Sequence, residues 1–359
     1  VVLKDGSKIQ YFGGKTQAVE KNTRVKARVK AHALKEFMNT KEKVIVMGHR
    51  LADADSFGAA IGIYRAAKTL NKKAYIVIDN PTSSILPLMN TFRDNQDYEA
   101  DLFVNNHEAK EIMDDNTLLV VVDTNKPGIT QCEDLLYMAK MIVVLDHHRQ
   151  GSDTIRNSVL SYIEPYASSA SEMVAEILQY FTEGIRIRNV EADSIYAGIM
   201  IDTDNFMQKT GVRTFEAAAF LRRCGADVTR VRKLFREDMN DYKARGETIR
   251  NAELFRGQFA ISECPSDYVD SPTVVGAQAA NELLNIVGVK ASFVLTEYKG
   301  VIYISARAID EVNVQIIMER MGGGGHLNMA GCQLETVDME GARGLLKSTL
   351  TEMQDGGEI

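Results

Sequence analysis

The sequence predicts an α/β protein with a parallel-sheet domain, then a helical connector, then a smaller α/β domain. Three observations predict it. Four short runs rich in β-branched residues alternate with helix-length segments between residues 43 and 146. Helical periodicity then runs from about Ser169 to Phe255, and strand-like runs resume beyond Gly257. Strands apolar on both faces and separated by helices imply a doubly wound parallel sheet.

Taken in order, residues 1–40 read as a hairpin around Gly6 and Gly13-Gly14 followed by a basic helix. The strands are Lys43–Gly48 (KVIVMG), Ala74–Ile78 (AYIVI), Leu118–Asp123 (LLVVVD) and Met141–Asp146 (MIVVLD), with Ser56–Leu70 the first helix between them. Ser169–Thr182 reads as an amphipathic helix with Ser169 as its N-cap. Residues 239–256 form the connector. In the last domain, 257–359, Gln258–Ile261, Ala291–Thr296 and Val301–Ala306 read as strands, and Val274–Val287 and Val314–Met321 as helices.

Composition narrows the function. At 359 residues the chain can bury two cores, and no apolar run approaches the roughly 20 residues of a membrane helix. The chain opens on Val1 without an initiator Met and reads as a segment of a longer protein. The four cysteines (Cys132, Cys224, Cys264, Cys332) form no CxxC pair, which favours a reduced, cytoplasmic compartment over a zinc-thiolate site. A net charge of −7 argues against tracking a long nucleic acid and suits a small anionic substrate.

Chemistry concentrates where strands end. His49-Arg-Leu-Ala-Asp53-Ala-Asp55 lies between a strand and a helix, so a loop can aim one imidazole and two carboxylates at a point. Mixed nitrogen and oxygen donors suit manganese, iron, cobalt or zinc; helix capping is the competing role for the two aspartates. Asp123 closes an apolar strand, as turn cap or as ligand. Asp146-His147-His148 closes another, and of six histidines in the chain three fall in these motifs. Strand alternation would send the two imidazoles different ways, one to metal and one to substrate, with Asp146 steadying the ligand imidazole. Asp202 and Asp204 compete at the end of GIMIDTD. Ligand sites of open α/β sheets lie at the carboxyl ends of strands, so one edge collects these groups.

The order GHRLADAD, VVVD, DHH and IMIDTD resembles the DHH phosphoesterase superfamily, which includes RecJ-type nucleases, NrnA-type oligoribonucleases and family II pyrophosphatases. Met321-Gly-Gly-Gly-Gly-His326 resembles the glycine-rich motif of the DHH-associated substrate-binding domain. The segment YFGGKTQAVEKNTRVKARVKAHAL resembles the stretch between a degenerate GGDEF domain and the DHH domain in GdpP-type cyclic di-AMP phosphodiesterases.

The resemblance implies a DHH catalytic domain at 41–238, a DHH-associated domain at 257–359, and hydrolysis of cyclic di-AMP to 5′-pApA. It implies two divalent ions, manganese in this family, with His49 and Asp53 on one, Asp55, His147 and Asp202 on the other, and Asp123 bridging. His148 would face the scissile phosphate and Asp146 would orient a ligand. Arg307 with Gly323, Gly324, Gly325 and His326 would hold the nucleotide, although Ala308 stands where the family's Ser-x-Arg-Ser element has Ser. A membrane-anchored parent with the fragment on the cytoplasmic face is also implied. A homodimer through the N-terminal helix or the DHH domain stays open. An NrnA-type oligoribonuclease or pAp phosphatase is the alternative enzyme, and a nucleotide sensor with a vestigial site the alternative class.

Overall fold

The computed structural model describes the backbone of residues 2–5, 8–11, 18–236, 238–309 and 312–359, with side chains from residue 25 onward. Strands β1 (Val2–Asp5) and β2 (Lys8–Tyr11) pair antiparallel; Gly6, Gly13 and Gly14 of the expected hairpin lie outside the described residues. The chain divides into two compact units, Val1–Phe235 and Arg236–Ile359.

In the first unit the chain runs α1 (Ala18–Asn39), β3 (Lys43–Met47), α2 (Ala54–Thr69), β4 (Lys73–Val77), α3 (Leu86–Arg93), β5 (Phe103–Val104) and α4 (Asn106–Ile112). It continues through β6 (Thr117–Val122), α5 (Asp134–Met138), β7 (Ile142–Asp146), β8 (Leu160–Ile163), α6 (Ala170–Phe181), α7 (Asn189–Asp202), α8 (Val212–Arg223) and α9 (Val228–Leu234). The six strands of the main sheet are parallel in the order β5-β4-β3-β6-β7-β8. Alternate residues serve opposite faces: Val44, Val46, Leu118 and Val120 meet the core of α2, α6 and α7, whereas Ile45, Met47, Leu119 and Val121 meet Ala109 of α4 and Leu135 of α5. That double burial makes the central strands read as unbroken apolar runs. Chain order reverses between β3 and β6, which puts the switch point beside His49 and Asp123. The sequence reading lacked β5, with two residues, and β8, whose LSYI alternates at the sheet edge.

Helices α2, α6 and α7 approach closely through small residues. A Cβ on Gly58 would stand 2.6 Å from the Ser194 carbonyl, and one on Gly198 would overlap Ser171 Oγ and stand 3.0 Å from the Ala54 carbonyl. This crossing lies at the start of α2 and α6, where Asp55 sits.

The second unit runs α10 (Met239–Arg250), β9 (Glu253–Phe255), β10 (Phe259–Cys264), α11 (Pro272–Leu283), β11 (Ala291–Tyr298), β12 (Val301–Ala308), α12 (Val314–Arg320), β13 (Gly324–His326), β14 (Met329–Leu334) and α13 (Met339–Asp355). Its sheet is mixed, in the order β13-β14-β12-β11-β10-β9, with β10 and β11 parallel and the other pairs antiparallel. The stretch read as a connector is built into this unit. Strand β9 pairs with β10, and Ser262 Oγ donates to the Thr248 carbonyl of α10 at 2.6 Å. Along β12 the alternation is strict: Ile302, Ile304 and Ala306 enter the core with α12 and α13, and Tyr303, Ser305 and Arg307 occupy the opposite face.

Two glycine substitutions should have opposite signs. Gly58→Ala forces a backbone shift at the α2–α7 crossing and should lower stability by about 1–3 kcal/mol. Gly246→Ala, on an exposed face of α10 with nothing near its added Cβ, should raise it by roughly 0.5–1 kcal/mol. Urea unfolding of both variants checks the pair.

Candidate metal centre

His49 follows β3 after Gly48, where a Cβ would collide with Ser56 Oγ, so the loop folds back over the start of α2. Its backbone is pinned from a second loop: Gln131 Nε2 donates to the His49 carbonyl at 3.1 Å, and Arg50 N to the Ile129 carbonyl at 2.7 Å. Asp53 is the N-cap of α2, its Oδ1 accepting from Ser56 N at 2.9 Å, while Oδ2 lies 3.5 Å from His49 Nε2. The capping and metal-facing roles that compete in the sequence are therefore filled by different oxygens of one residue. Asp55 is buried, and its two oxygens accept from Ala170 N at 2.7 Å and Ser171 N at 2.8 Å, buried first-turn donors of α6 that have no partner within the helix. A helix N-terminus is a suitable partner for a buried carboxylate.

Asp123 adopts φ +58 at the end of β6, the left-handed region that a non-glycine residue enters at a cost. Its Oδ2 lies 3.2 Å from His49 Nε2 and its Oδ1 3.4 Å from His147 Nε2. His147 Nε2 also stands 3.8 Å from Asp55 Oδ2 and 3.7 Å from Asp202 Oδ2. Asp202 is the last residue of α7; Asp204, Asn205 and Phe206 then all take positive φ, and Asp204 is exposed, beside Gln208. The geometry thus brings Asp202 into the cluster and leaves Asp204 outside it.

Strand β7 ends at Asp146, so pleat alternation does not govern the two residues that follow. The rings of His147 and His148 lie 4.4 Å apart, and His148 Nδ1 is 3.7 Å from Asp123 Oδ1. The expectation that Asp146 steadies the ligand imidazole is corrected here: Asp146 Oδ1 accepts from His148 N at 3.1 Å and pairs with His148 Nδ1 at 2.8 Å. Asn125, absent from the sequence reading, donates to the other oxygen of Asp146. Its neighbours in Thr-Asn-Lys-Pro-Gly suggest only a turn, so its sequence context gave no signal. With Nδ1 committed to fully buried Asp146, the 58% exposed side chain of His148 turns its Nε2 outward.

Three groups emerge that could each hold a cation: His49, Asp53 and Asp123; Asp55, His147 and Asp202; and Asp123, His147 and His148. The third depends on a His148 nitrogen already bonded to Asp146. A cation fits the first two groups. Asp123 Oδ1 and Asp202 Oδ2 are buried and accept no hydrogen bond, a state that costs free energy unless a positive charge satisfies it. Burial, with Asp123 and Asp202 nearby, drives the Asp55 carboxyl far above the usual range, and burial likewise raises Asp202. Burial opposes charge on both imidazoles, but the facing carboxylates outweigh it, pushing His49 up to about 10 and His147 up to about 9. Without a cation, protons carry the compensating charge.

In the second unit, Gly324–His326 form edge strand β13 in place of an open loop. Gly323 and Gly325 make room for β14: a Cβ on Gly323 would meet the Gly331 carbonyl, and one on Gly325 would stand 2.5 Å from Ala330 Cα. The Cβ of Gly324 would point into open space and His326 is exposed, so both are open to a ligand. Arg307 is half-buried; one of its terminal nitrogens donates to the Ala306 carbonyl at 2.9 Å, and its buried Nε has no partner.

Two adjacent His/Asp groups at a switch point, with Asp123 of the first group also facing His147 of the second, define a candidate divalent-cation centre on an open α/β sheet. Residues 43–199 match the DHH family, N-terminal domain, and residues 259–352 match the DHHA1 domain; the chain belongs to the DHH family. It is 43% identical over 356 residues to the cyclic-di-AMP phosphodiesterase GdpP of Bacillus subtilis, covering 98% of this chain and 54% of that protein. The chain thus spans about half the length of the curated relatives it matches. An exopolyphosphatase-related protein from Bacteroides fragilis shares the fold with a TM-score of 0.74 at 19% identity, over 91% of this chain and 97% of that one. RecJ of Thermus thermophilus, solved in complex with Mn2+, does so with a TM-score of 0.53 at 14% identity, over 91% and 55%. Among the described residues no helix is long and apolar enough to cross a membrane.

Cation binding must displace the protons on His49 and His147. Mn2+ affinity should therefore rise with pH, up to about 9 at the site holding His147 and up to about 10 at the site holding His49. Calorimetry in buffers of different ionisation enthalpy should detect proton release at pH 7. Asp123→Ala should weaken both sites together, whereas Asp204→Ala should weaken neither.

Proposed function

We propose that this chain hydrolyses cyclic di-AMP at one 3′,5′ phosphodiester bond, giving linear 5′-pApA. The observation that carries this reading is Asp123, set between His49 and His147 with one oxygen toward each. Likeness to the Bacillus subtilis GdpP phosphodiesterase supports the substrate class. His49, Asp53 and Asp123 would hold one divalent ion; Asp55, His147, Asp202 and Asp123 the other. Manganese is favoured by the mixed donors and by the RecJ complex. Such a pair, when bound, activates water and neutralises charge on the phosphoryl group.

The chain's own residues supply the rest. Water oxygen bonds to phosphorus, the bond from phosphorus to O3′ breaks, and O3′ leaves needing a proton. His148 Nε2 is the donor in this reading. Asp146 holds the opposite nitrogen, stabilises the charged ring and fixes its direction, while Asn125 holds Asp146 in turn. Burial works against ionisation of Asp146, but the bonds from His148 and Asn125 outweigh it and keep the carboxyl below its ordinary range. In the second unit, Arg307 and the Gly323-Gly324-Gly325-His326 edge would hold a phosphate of the nucleotide, with the unpartnered guanidinium nitrogen as the main support.

Incubation with Mn2+ and cyclic di-AMP, with pApA and short RNA as competitors, tests the reading; absence of linear product from the cyclic substrate overturns it. His148→Ala should lower kcat by about 10²–10⁴-fold while Mn2+ stoichiometry is kept. On bis(p-nitrophenyl) phosphate, whose leaving group needs no proton, the loss should be much smaller.

A further inference from the structure

In the second unit a cavity of about 490 Å³ opens on the face of β12 and β14 away from the core of α12 and α13, beside the start of α11. Thr273, Tyr303, Ser305 and Gln333 line it with Gly323 and Gly331. None of those four polar side chains has a hydrogen-bond partner among the described residues. Convergent polar groups with no partner in the protein, around a cavity of this size, are the arrangement expected of a ligand site.

The strand register gives the site an order. Tyr303 of β12 lies directly opposite Gln333 of β14, and Ser305 opposite Gly331. Because β12 shows one face every second residue, Tyr303, Ser305 and Arg307 form a row that covers roughly 13 Å. Along that row lie a flat aromatic ring beside a planar amide, then a hydroxyl facing a glycine, then a guanidinium with an unpartnered nitrogen. Base, ribose and phosphate present the complementary groups in that same order.

We infer that this cavity is an adenine-reading nucleotide subsite in which Gln333 pairs with the base edge and Tyr303 stacks on its face. The inference rests on the proposed function for its phosphate at Arg307. Gln333 can accept from the adenine amino group through Oε1 and donate to N7 through Nε2. Guanine presents two acceptors on that edge, so its O6 would face Oε1 without a proton between them. Every base has a face for Tyr303, so stacking adds affinity, and the amide supplies the choice. Ser305 and Gly331 leave room for the sugar between the two ends.

Two measurements test this on the whole chain with Mn2+. In the first, Gln333→Ala should raise KM for cyclic di-AMP by about 5- to 150-fold with kcat nearly unchanged, and Gln333→Arg should move preference toward cyclic di-GMP. In the second, calorimetric titration with adenosine and guanosine 5′-monophosphates needs no turnover. The wild type should favour the adenosine nucleotide, Gln333→Ala should lose that preference, and Tyr303→Leu should weaken both nucleotides alike. Equal affinities in the wild type, or a preference untouched in Gln333→Ala, would overturn the subsite. A wild type that discriminates in titration but leaves cyclic di-AMP intact keeps the subsite and sinks the proposed reaction.

Discussion

Asp123 faces His49 through one oxygen and His147 through the other, from a left-handed residue at the end of a buried strand. Around it, Asp53, Asp55 and Asp202 bring further negative charge into a partly buried space. Like charges at such spacing repel strongly where water is scarce. Much of the first unit answers that constraint. The cap of α2 takes one oxygen of Asp53, the first turn of α6 takes both oxygens of Asp55, and the two imidazoles sit between the acids. Gly58 and Gly198 let α2, α6 and α7 close tightly enough for Asp55 to reach the α6 amides.

What the sequence made legible follows from how each signal arises. Strands buried on both faces announce themselves, so β3, β4, β6 and β7 were readable to within a residue or two, as was α6 from its Ser169 cap. Short or one-sided edges carry no such signal: β5, β8 and β9 take their identity from a neighbour. The cluster residues were readable because they follow apolar strands, as His49, Asp123 and His147 do, or flank helices, as Asp53, Asp55 and Asp202 do. The choice of Asp202 over Asp204 came from the family resemblance alone, because no propensity predicts the left-handed turn at residues 204–206.

Two roles changed hands for geometric reasons. Asp146 could be assigned to the ligand imidazole only by assuming that strand geometry ran through the histidines; the strand stops first, and the carboxylate turns to His148. The run of four glycines resembles a substrate-binding motif, yet two of the four, Gly323 and Gly325, serve a close backbone approach between β13 and β14. Asn125 stayed hidden because an amide in a turn is common, and its importance appears only when Asp146 lies against it.

The grip of α6 on Asp55 ties local order to ion occupancy. The carboxylate that would face a cation is also the acceptor for the two amides that begin the helix. Whatever settles the charge on that carboxylate settles the helix end as well, and a frayed first turn would release the acid. Ion binding and the folding of this layer are therefore linked equilibria, and part of the affinity for a cation is spent as rigidity of the helix beneath it.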